Sequence, residues 1–327
     1  MTTLAQESPL EQRPTTPFWS ENFALVFNDP VSRTSALYSI GTWYLDTSVW
    51  RENLTLTLPD GRVVVARNFG RNTRGNVVSA GLSRYEIVEP DHTVKWTFDG
   101  PVWPHTLQEL MTTGFSNGKT SRLNLVLTFE ATHPMWDMHA GHNTDSTGIA
   151  GAMHIEQIGR ANGSITVDGK EIPVRDAYAC RDHSRGGREI SKFRNHCWIN
   201  GAFPSGRAFQ SYYFRMYGVE GAALSLATVV HEQKFYPATI EQVEVLGGPN
   251  DAGKSHVLRL KSELGEMKID VDVLATNALH MTAPFNPSAG RGRGSHAFMF
   301  DEAIRVKCNG EVGLGWCERG TALEPLQ

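Results

Sequence analysis

Apolar and polar residues alternate with a period of two along most of the chain. Leu54-Thr-Leu-Thr-Leu58 alternates strictly, Pro59-Asp60-Gly61-Arg62 interrupts it, and Val63-Val64-Val65 resumes the apolar pattern. Successive side chains of a strand point to opposite faces, so this stretch reads as strand, turn, strand. The same reading gives strands at Arg84–Val88, Val94–Phe98 and Leu123–Phe129, and a hairpin over Ile165–Ile172 turning at Asp168-Gly169. In the second half it gives Cys197–Phe203, Arg207–Met216, Ile240–Leu246, His256–Leu260, Met267–Leu274 and Ala297–Val306. Helical spacing is scarce: His105–Met111 sets Leu107, Leu110 and Met111 on one face and predicts one short helix. Turn signals about every 8–12 residues point to barrels or sandwiches.

Segments of the two halves resemble each other. Leu58–Arg62 matches Phe203–Arg207 at an offset of 145, and Leu123–Thr132 resembles Met267–Thr276 at 144. Glu156, Ile158 and Asn162-Gly163 resemble Glu302, Ile304 and Asn309-Gly310 at 146–147. About 145 residues is the size of one β-barrel, and an eight-stranded barrel has room for one small ligand. The 327 residues also suit two domains. The expected architecture is all-β: a flexible polar leader (1–17), an N-terminal barrel (18–172) and a C-terminal barrel (173–327), with few short helices.

Composition narrows the class. Apolar residues at 40% and charged residues at 20% exclude wholesale disorder, and the net charge of −4 argues against nucleic acid. Met1–Pro17 has no apolar core or basic start, so it does not read as a signal peptide, and no stretch predicts a membrane span. Cys180, Cys197, Cys308 and Cys317 lack C-x-x-C spacing and read as reduced, buried thiols. A cytoplasmic protein is expected. The chain has no nucleotide-binding glycine motif and no G-x-S-x-G elbow, and no cofactor is expected. His139, His142 and Asp145 could form a two-His, one-carboxylate metal site. They lie in a Gly-containing polar loop without a further signature, so no metal is assigned and this site stands as an alternative.

The densest chemistry lies between Trp136 and Arg188, where the first repeat hands over to the second, a preferred place for a pocket. His154 and Glu156 share one face of a strand; if that face points inward, into an apolar barrel, burial raises the Glu156 carboxyl and makes it a general acid. The opposing reading is that Glu156 pairs with an arginine such as Arg160 and only orders the structure. In Arg181-Asp182-His183-Ser184-Arg185-Gly186, Asp182 and Ser184 share one face while Arg181, His183 and Arg185 share the other. This set is either a proton-holding Asp–His pair or an ion-pair network locking the domains. Trp43, Trp50, Trp136, Trp198 and Tyr212 could line a cavity and steady a developing carbocation, and core packing is the competing job for each.

Asp182-His183-Ser184-Arg185-Gly186, preceded by His154-Ile155-Glu156-Gln157 and the Asp168-Gly169 hairpin, resembles a known group. The chain is similar to the bacterial tandem lipocalin-like proteins that group with carotenoid 1,2-hydratase, with AttH-like and kievitone hydratase-like proteins as relatives. Fungal lipocalin-like Diels–Alderases and tocopherol cyclase are more distant. Members often carry Asp-His-Ser-Trp-Gly, and Arg185 here replaces the Trp. The resemblance is concentrated over about residues 150–215. It implies two lipocalin-like barrels, a pocket between or within them, an apolar and often isoprenoid substrate, and chemistry without metal or organic cofactor.

The function expected is that of a cofactor-independent lyase or isomerase on a small hydrophobic terpenoid-, steroid- or polyketide-like substrate. Asp182 or Glu156 would be the acid, and His183 and His154 would handle the second proton. Trp43, Trp50, Trp136, Trp198, Tyr212 and Arg185 would contact substrate. The alternatives are a non-catalytic carrier and the metal enzyme above. A homodimer is the assembly considered, and no residue pattern decides it.

Overall fold

The computed structural model describes residues 4–15, 19–43, 46–112, 119–140, 147–188, 193–281 and 297–322. The first twelve strands are β1 (Trp19–Asp29), β2 (Thr34–Trp43), β3 (Asp46–Thr57), β4 (Val63–Gly70), β5 (Asn72–Arg74), β6 (Val77–Ser79), β7 (Ser83–Glu89), β8 (Thr93–His105), β9 (Ser121–Ala131), β10 (Trp136–Asp137), β11 (Met153–Val167) and β12 (Lys170–Gly187). The other eight are β13 (Phe193–Ala202), β14 (Ala208–Met216), β15 (Leu224–His231), β16 (Lys234–Gln242), β17 (His256–Ser262), β18 (Gly265–Met281), β19 (Ala297–Cys308) and β20 (Glu311–Ala322). Short helices occur at Leu4–Glu7 (α1), Leu107–Thr112 (α2) and Thr147–Ala150 (α3).

Two eight-stranded antiparallel barrels result. Strand β9 pairs with both β8 and β11, which closes β1-β2-β3-β4-β8-β9-β11-β12 into a ring. Strands β13 to β20 close the second ring in chain order. The first ring is filled by its own aromatic side chains, among them Phe23, Tyr38, Trp50, Tyr85, Trp96, Phe98 and Phe129, all buried. Its interior is therefore packed protein and not the ligand space that an eight-stranded ring could offer. The second holds a narrower core that includes Cys197, Ile199, Phe209, Leu258, Ile269, Ile304 and Cys317. All four cysteines are buried and free of disulfides.

Local chemistry explains the connections. Asp168 (φ 50°) and Gly169 (φ 82°) both turn left-handed at the β11–β12 hairpin, as a two-residue primed turn requires. Helix α2 starts in a capping box: Thr106 Oγ1 accepts the Glu109 N–H at 3.1 Å, and Glu109 Oε2 accepts the Thr106 N–H at 2.6 Å. Its Leu110 packs against Leu246, Phe298 and Phe300 of the other half. The strand expected over Ile240–Leu246 ends at Gln242.

The repeat is realised unevenly. The Leu58–Arg62 and Phe203–Arg207 turns close with the same backbone bond, Leu58 N–H to Arg62 O and Phe203 N–H to Arg207 O, each 2.8 Å. They occupy different places, however, because the first joins β3 to β4 and the second joins β13 to β14. That match reflects turn chemistry alone. The β9 match falls on β18, and Glu156 and Ile158 of β11 match residues of β19, strands that hold the same place in each ring, whereas Asn162-Gly163 lies within β11 and Asn309-Gly310 in the turn after β19.

Two expected boundaries move. Strand β12 pairs with β1 and β11, so it closes the first barrel, and the change of sheet falls between Gly187 and Phe193 rather than at 172/173. The leader is docked where it is described: Glu7 is buried, and it takes two hydrogen bonds from Arg181 (3.0 and 3.1 Å) and one from the Asp91 N–H. A polar composition did not betray this, because a buried ion pair and polar contacts anchor the segment, among them Leu10 N–H to Glu21 Oε2 (3.0 Å) and Arg13 to Thr47 O (2.7 Å).

The barrels pack through Val26, Leu37, Ile158, Tyr178 and Cys180 on one side and Trp198, Ala202, Ala208, Val230, Ala303 and Trp316 on the other. Asn28 donates across this seam to Ile304 O (2.9 Å) and Gly315 O (3.1 Å), Thr57 donates to Asn277 Oδ1 (2.6 Å), and the Tyr178 hydroxyl donates to Asn200. No described helix is long and apolar enough to cross a membrane.

Candidate functional site

Alternation along β12 splits its charged run. Arg181, His183 and Arg185 turn into the mouth of the first barrel. His183 stacks on Phe23 (3.9 Å between centroids) and sits 3.0 Å from Glu21 Oε1. Arg185 Nε lies 3.5 Å from the same oxygen, and its Nη2 donates to Gln6 O at 2.6 Å. Burial lowers the His183 imidazole pKa despite the Glu21 contact. Trp50 is deep inside this barrel beneath the Arg13 guanidinium (4.6 Å), and Trp43 stands edge-on to Phe69 (5.9 Å). The geometry thus does not bring His183, Arg185, Trp50 and Trp43 to the Asp182 carboxyl, because neighbours on a strand face opposite ways.

Asp182, His154 and Glu156 point outward, at the seam, and not into a barrel as the inward reading of the His154–Glu156 face would have it; the second barrel buries them instead. Strands β11 and β12 set Glu156 directly opposite Asp182, and β10 sets Trp136 beside Glu156. His154 Nε2 hydrogen-bonds the Asp182 carboxylate and lies 3.7 Å from Glu156 Oε1. His154 Nδ1 contacts Ala150 O at 3.2 Å. Each ring nitrogen of His154 thus meets an oxygen, which fixes the ring between Asp182 and Ala150.

The two carboxyls are driven apart. Burial would raise Asp182, but the His154 charge and hydrogen bond, joined by Arg188, outweigh it and hold Asp182 below its ordinary value. Burial pushes Glu156 well above the usual carboxylate range, and the charges of Asp182 and Glu318 push it further. One oxygen of Glu156 is buried without a hydrogen-bond partner.

The second barrel completes the cluster. Trp198 and Tyr212 face Glu156 and His154; the Tyr212 ring meets His154 edge-on at 6.1 Å and lies over His196 at 6.2 Å. His196 Nε2 is 2.9 Å from Glu318 Oε1. Glu318 is directly opposite Asp301 on β19, whose carboxyl is pushed well above its ordinary value by burial and then by Glu318. Each barrel therefore presents a cross-strand carboxyl pair to the seam, Glu156 with Asp182 and Asp301 with Glu318, with Tyr212 between them.

Asp301, Glu318 and His196 were missed by the sequence reading, although a signal existed. Asp301 stands 145 positions after Glu156, one closer than Glu302 to the offset of 144 that relates β9 to β18, so pairing Glu156 with Glu302 slips by one residue. A slip of one reverses the face. Glu302 points into the second barrel and forms a buried ion pair with Arg319 (2.8 Å twice).

Of the alternative metal residues, His139 lies just after β10, with its N–H donating to Asp137 at 3.0 Å, and His142 and Asp145 fall outside the described residues. Among the described residues, His154, Glu156 and Asp182 offer three ligand atoms within 4.8 Å of one another. Two surface cavities, one lined by residues including Asn28, Arg33 and Arg305 and one by residues including Arg194 and Tyr217, do not border this cluster.

The sequence profile of one family, described as Domain of unknown function (DUF7064), matches residues 5–322. No curated protein matches the sequence. Three solved structures share the fold. An AttH-like protein of Nitrosomonas europaea superposes with a TM-score of 0.63 at 13% identity, over 94% of this chain and 93% of that one. CghA, crystallised with Sch210972, gives 0.56 at 12% identity over 94% and 89%. Kievitone hydratase from Nectria haematococca gives 0.52 at 10% identity over 95% and 91%. Identities this low carry the tandem lipocalin-like fold and no more.

Proposed function

The chain belongs to the DUF7064 family, and from the geometry of the seam we propose a cofactor-independent lyase or isomerase of the hydratase, dehydratase or cyclase kind. Its substrate would be a hydrophobic terpenoid-, steroid- or polyketide-like molecule held between the barrels. The observation that carries this reading is Glu156: a buried acid with one free oxygen, beside a carboxylate already committed to an imidazole. The occurrence of a protein named as a hydratase among chains of this fold supports the class.

In the dehydration sense, Glu156 gives its proton to a hydroxyl, which leaves as water. The electron-rich faces of Trp136, Trp198 and Tyr212 would steady the carbocation left behind. The Glu156 carboxylate so formed is balanced by His154, 3.7 Å away. An adjacent carbon then loses a proton to the Asp182–His154 pair, and an alkene forms. Hydration runs the same steps backwards, and cyclisation replaces water by an internal alkene. The Asp301–Glu318 pair is placed to hold a second proton.

The test is to incubate the protein with hydrophobic tertiary and allylic alcohols and alkenes in heavy water. Deuterium at the carbon protonated by the protein, present with wild type and absent with Glu156→Gln, is the expected result. Equal incorporation by both removes Glu156 as the acid.

One specific observation favours a second reading. The Ala150 carbonyl fixes the His154 ring as it would for a metal ligand, leaving Nε2, Glu156 and Asp182 as three donors. Metal analysis of the purified protein separates the two readings.

A further inference from the structure

A row of outward residues crosses the first barrel from the acid cluster. His154 faces Ser184, Ser184 faces Asn22, Asn22 faces Gly41, and Gly41 faces Arg51. Gly41 leaves the path open, since a Cβ there would sit 2.0 Å from Asn22 Oδ1. Arg51 extends over it and donates to Asn22 Oδ1 at 3.3 Å. From the other end, Arg188 donates to Ala150 O at 3.0 Å, the carbonyl that also holds His154. The Nε atoms of Arg51 and Arg188 are both buried and without a hydrogen-bond partner. Neither guanidinium belongs to any ion pair among the described residues. Burial, followed by the Arg188 charge, lowers Arg51 to about 10.

Two converging guanidiniums, each with a buried Nε that has no partner, carry more positive charge than the one carboxylate near them, Asp182, which already engages His154. Guanidinium matches a carboxylate with two parallel N–H donors, and burial strengthens the match. We propose that Arg51 and Arg188 bind the carboxylate of the substrate, which is therefore an amphipathic acid with an apolar body toward Trp198 and Tyr212 and its anionic end on the first barrel. This deepens the reading above and rests on it for the position of the apolar body only.

The probe is dodecanoate, with dodecan-1-ol and dodecyl phosphate as comparisons, measured by calorimetric titration of the full chain. Dodecanoate should bind wild type and Glu156→Gln alike, while the alcohol binds far more weakly. Arg51→Gln and Arg188→Gln should each weaken dodecanoate on the order of tenfold to a hundredfold, the range of a charge-assisted hydrogen bond. Arg51→Met should raise the unfolding midpoint of the ligand-free protein, because it removes an unpaired charge, and should lose dodecanoate binding. The proposal is overturned if wild type does not bind dodecanoate, if the alcohol binds as well, if dodecyl phosphate binds more tightly than the carboxylate, or if the arginine variants bind unchanged. Binding that persists in Glu156→Gln while deuterium incorporation fails in both proteins would refute the acid assignment and leave the anion site standing.

Discussion

Glu156 and Asp182 stand directly opposite each other on neighbouring strands, and their surroundings drive the two carboxyls in opposite directions. Asp182 has an imidazole and a nearby guanidinium to balance it, whereas Glu156 has burial and two acidic neighbours. Environments that separate two like groups in this way assign the roles of acid and base. Glu156→Gln should lower turnover by about a hundredfold or more, the usual contribution of a general acid, with a small effect on substrate binding. Asp182→Asn should also lower turnover and should cost stability, since it leaves the His154 charge without its partner; steady-state kinetics and urea unfolding measure the two effects.

Stability should depend on pH in a stated direction. Glu156 and Asp301 are both raised in the folded state, so their contributions are complete below the ordinary carboxyl value of about 4 and are lost as pH rises through the folded values. In that range the folded chain holds protons that the unfolded chain has released. The wild-type unfolding free energy should therefore fall on the alkaline side, and Glu156→Gln and Asp301→Asn should each flatten the fall. His183 is lowered and acts in the other sense: its contribution is present above about 6.5 and lost on acidification. His183→Phe should make the protein less sensitive to acid between pH 6.5 and the lowered folded value.

The leader should matter to the fold. Glu7→Gln leaves Arg181 buried without its carboxylate, and breaking a buried pair from one side costs about 3–5 kcal/mol. Urea unfolding of Glu7→Gln measures this. The double change Glu7→Leu with Arg181→Met should recover most of the loss, because it removes both charges from the mouth of the barrel.

Metal content gives an independent check. The acid–base account predicts no stoichiometric transition metal in the purified protein and no loss of activity on chelation. One equivalent of metal, released by His154→Ala, would favour the second reading.

Period-two alternation made the strands and the two-barrel plan legible, and the Asp168-Gly169 turn was written in its residues. That His154 shares a face with Glu156, and Asp182 with Ser184, was also legible, since a strand fixes which residues share a face; that these faces turn outward to the seam was not. What was not legible lay beyond the local pattern. A strand of either barrel has two buried faces near the seam, so alternation could not say whether Trp50 or Trp198 met the acid pair. His183 sits next to Asp182 in sequence but across the sheet wall in space. Asp301 and Glu318 reach the site only through barrel packing, and a one-residue slip in the repeat hid them. Glu7 belongs to a polar segment whose docking depends on Arg181, far away in the chain.

The central claim is that Glu156 stays protonated near neutral pH. Infrared difference spectroscopy of wild type minus Glu156→Gln at pH 7 tests it without a substrate. The account predicts that the substitution removes the carbonyl stretch of one protonated carboxyl. Loss of ionised carboxylate bands instead, with no change in the protonated region, would contradict it.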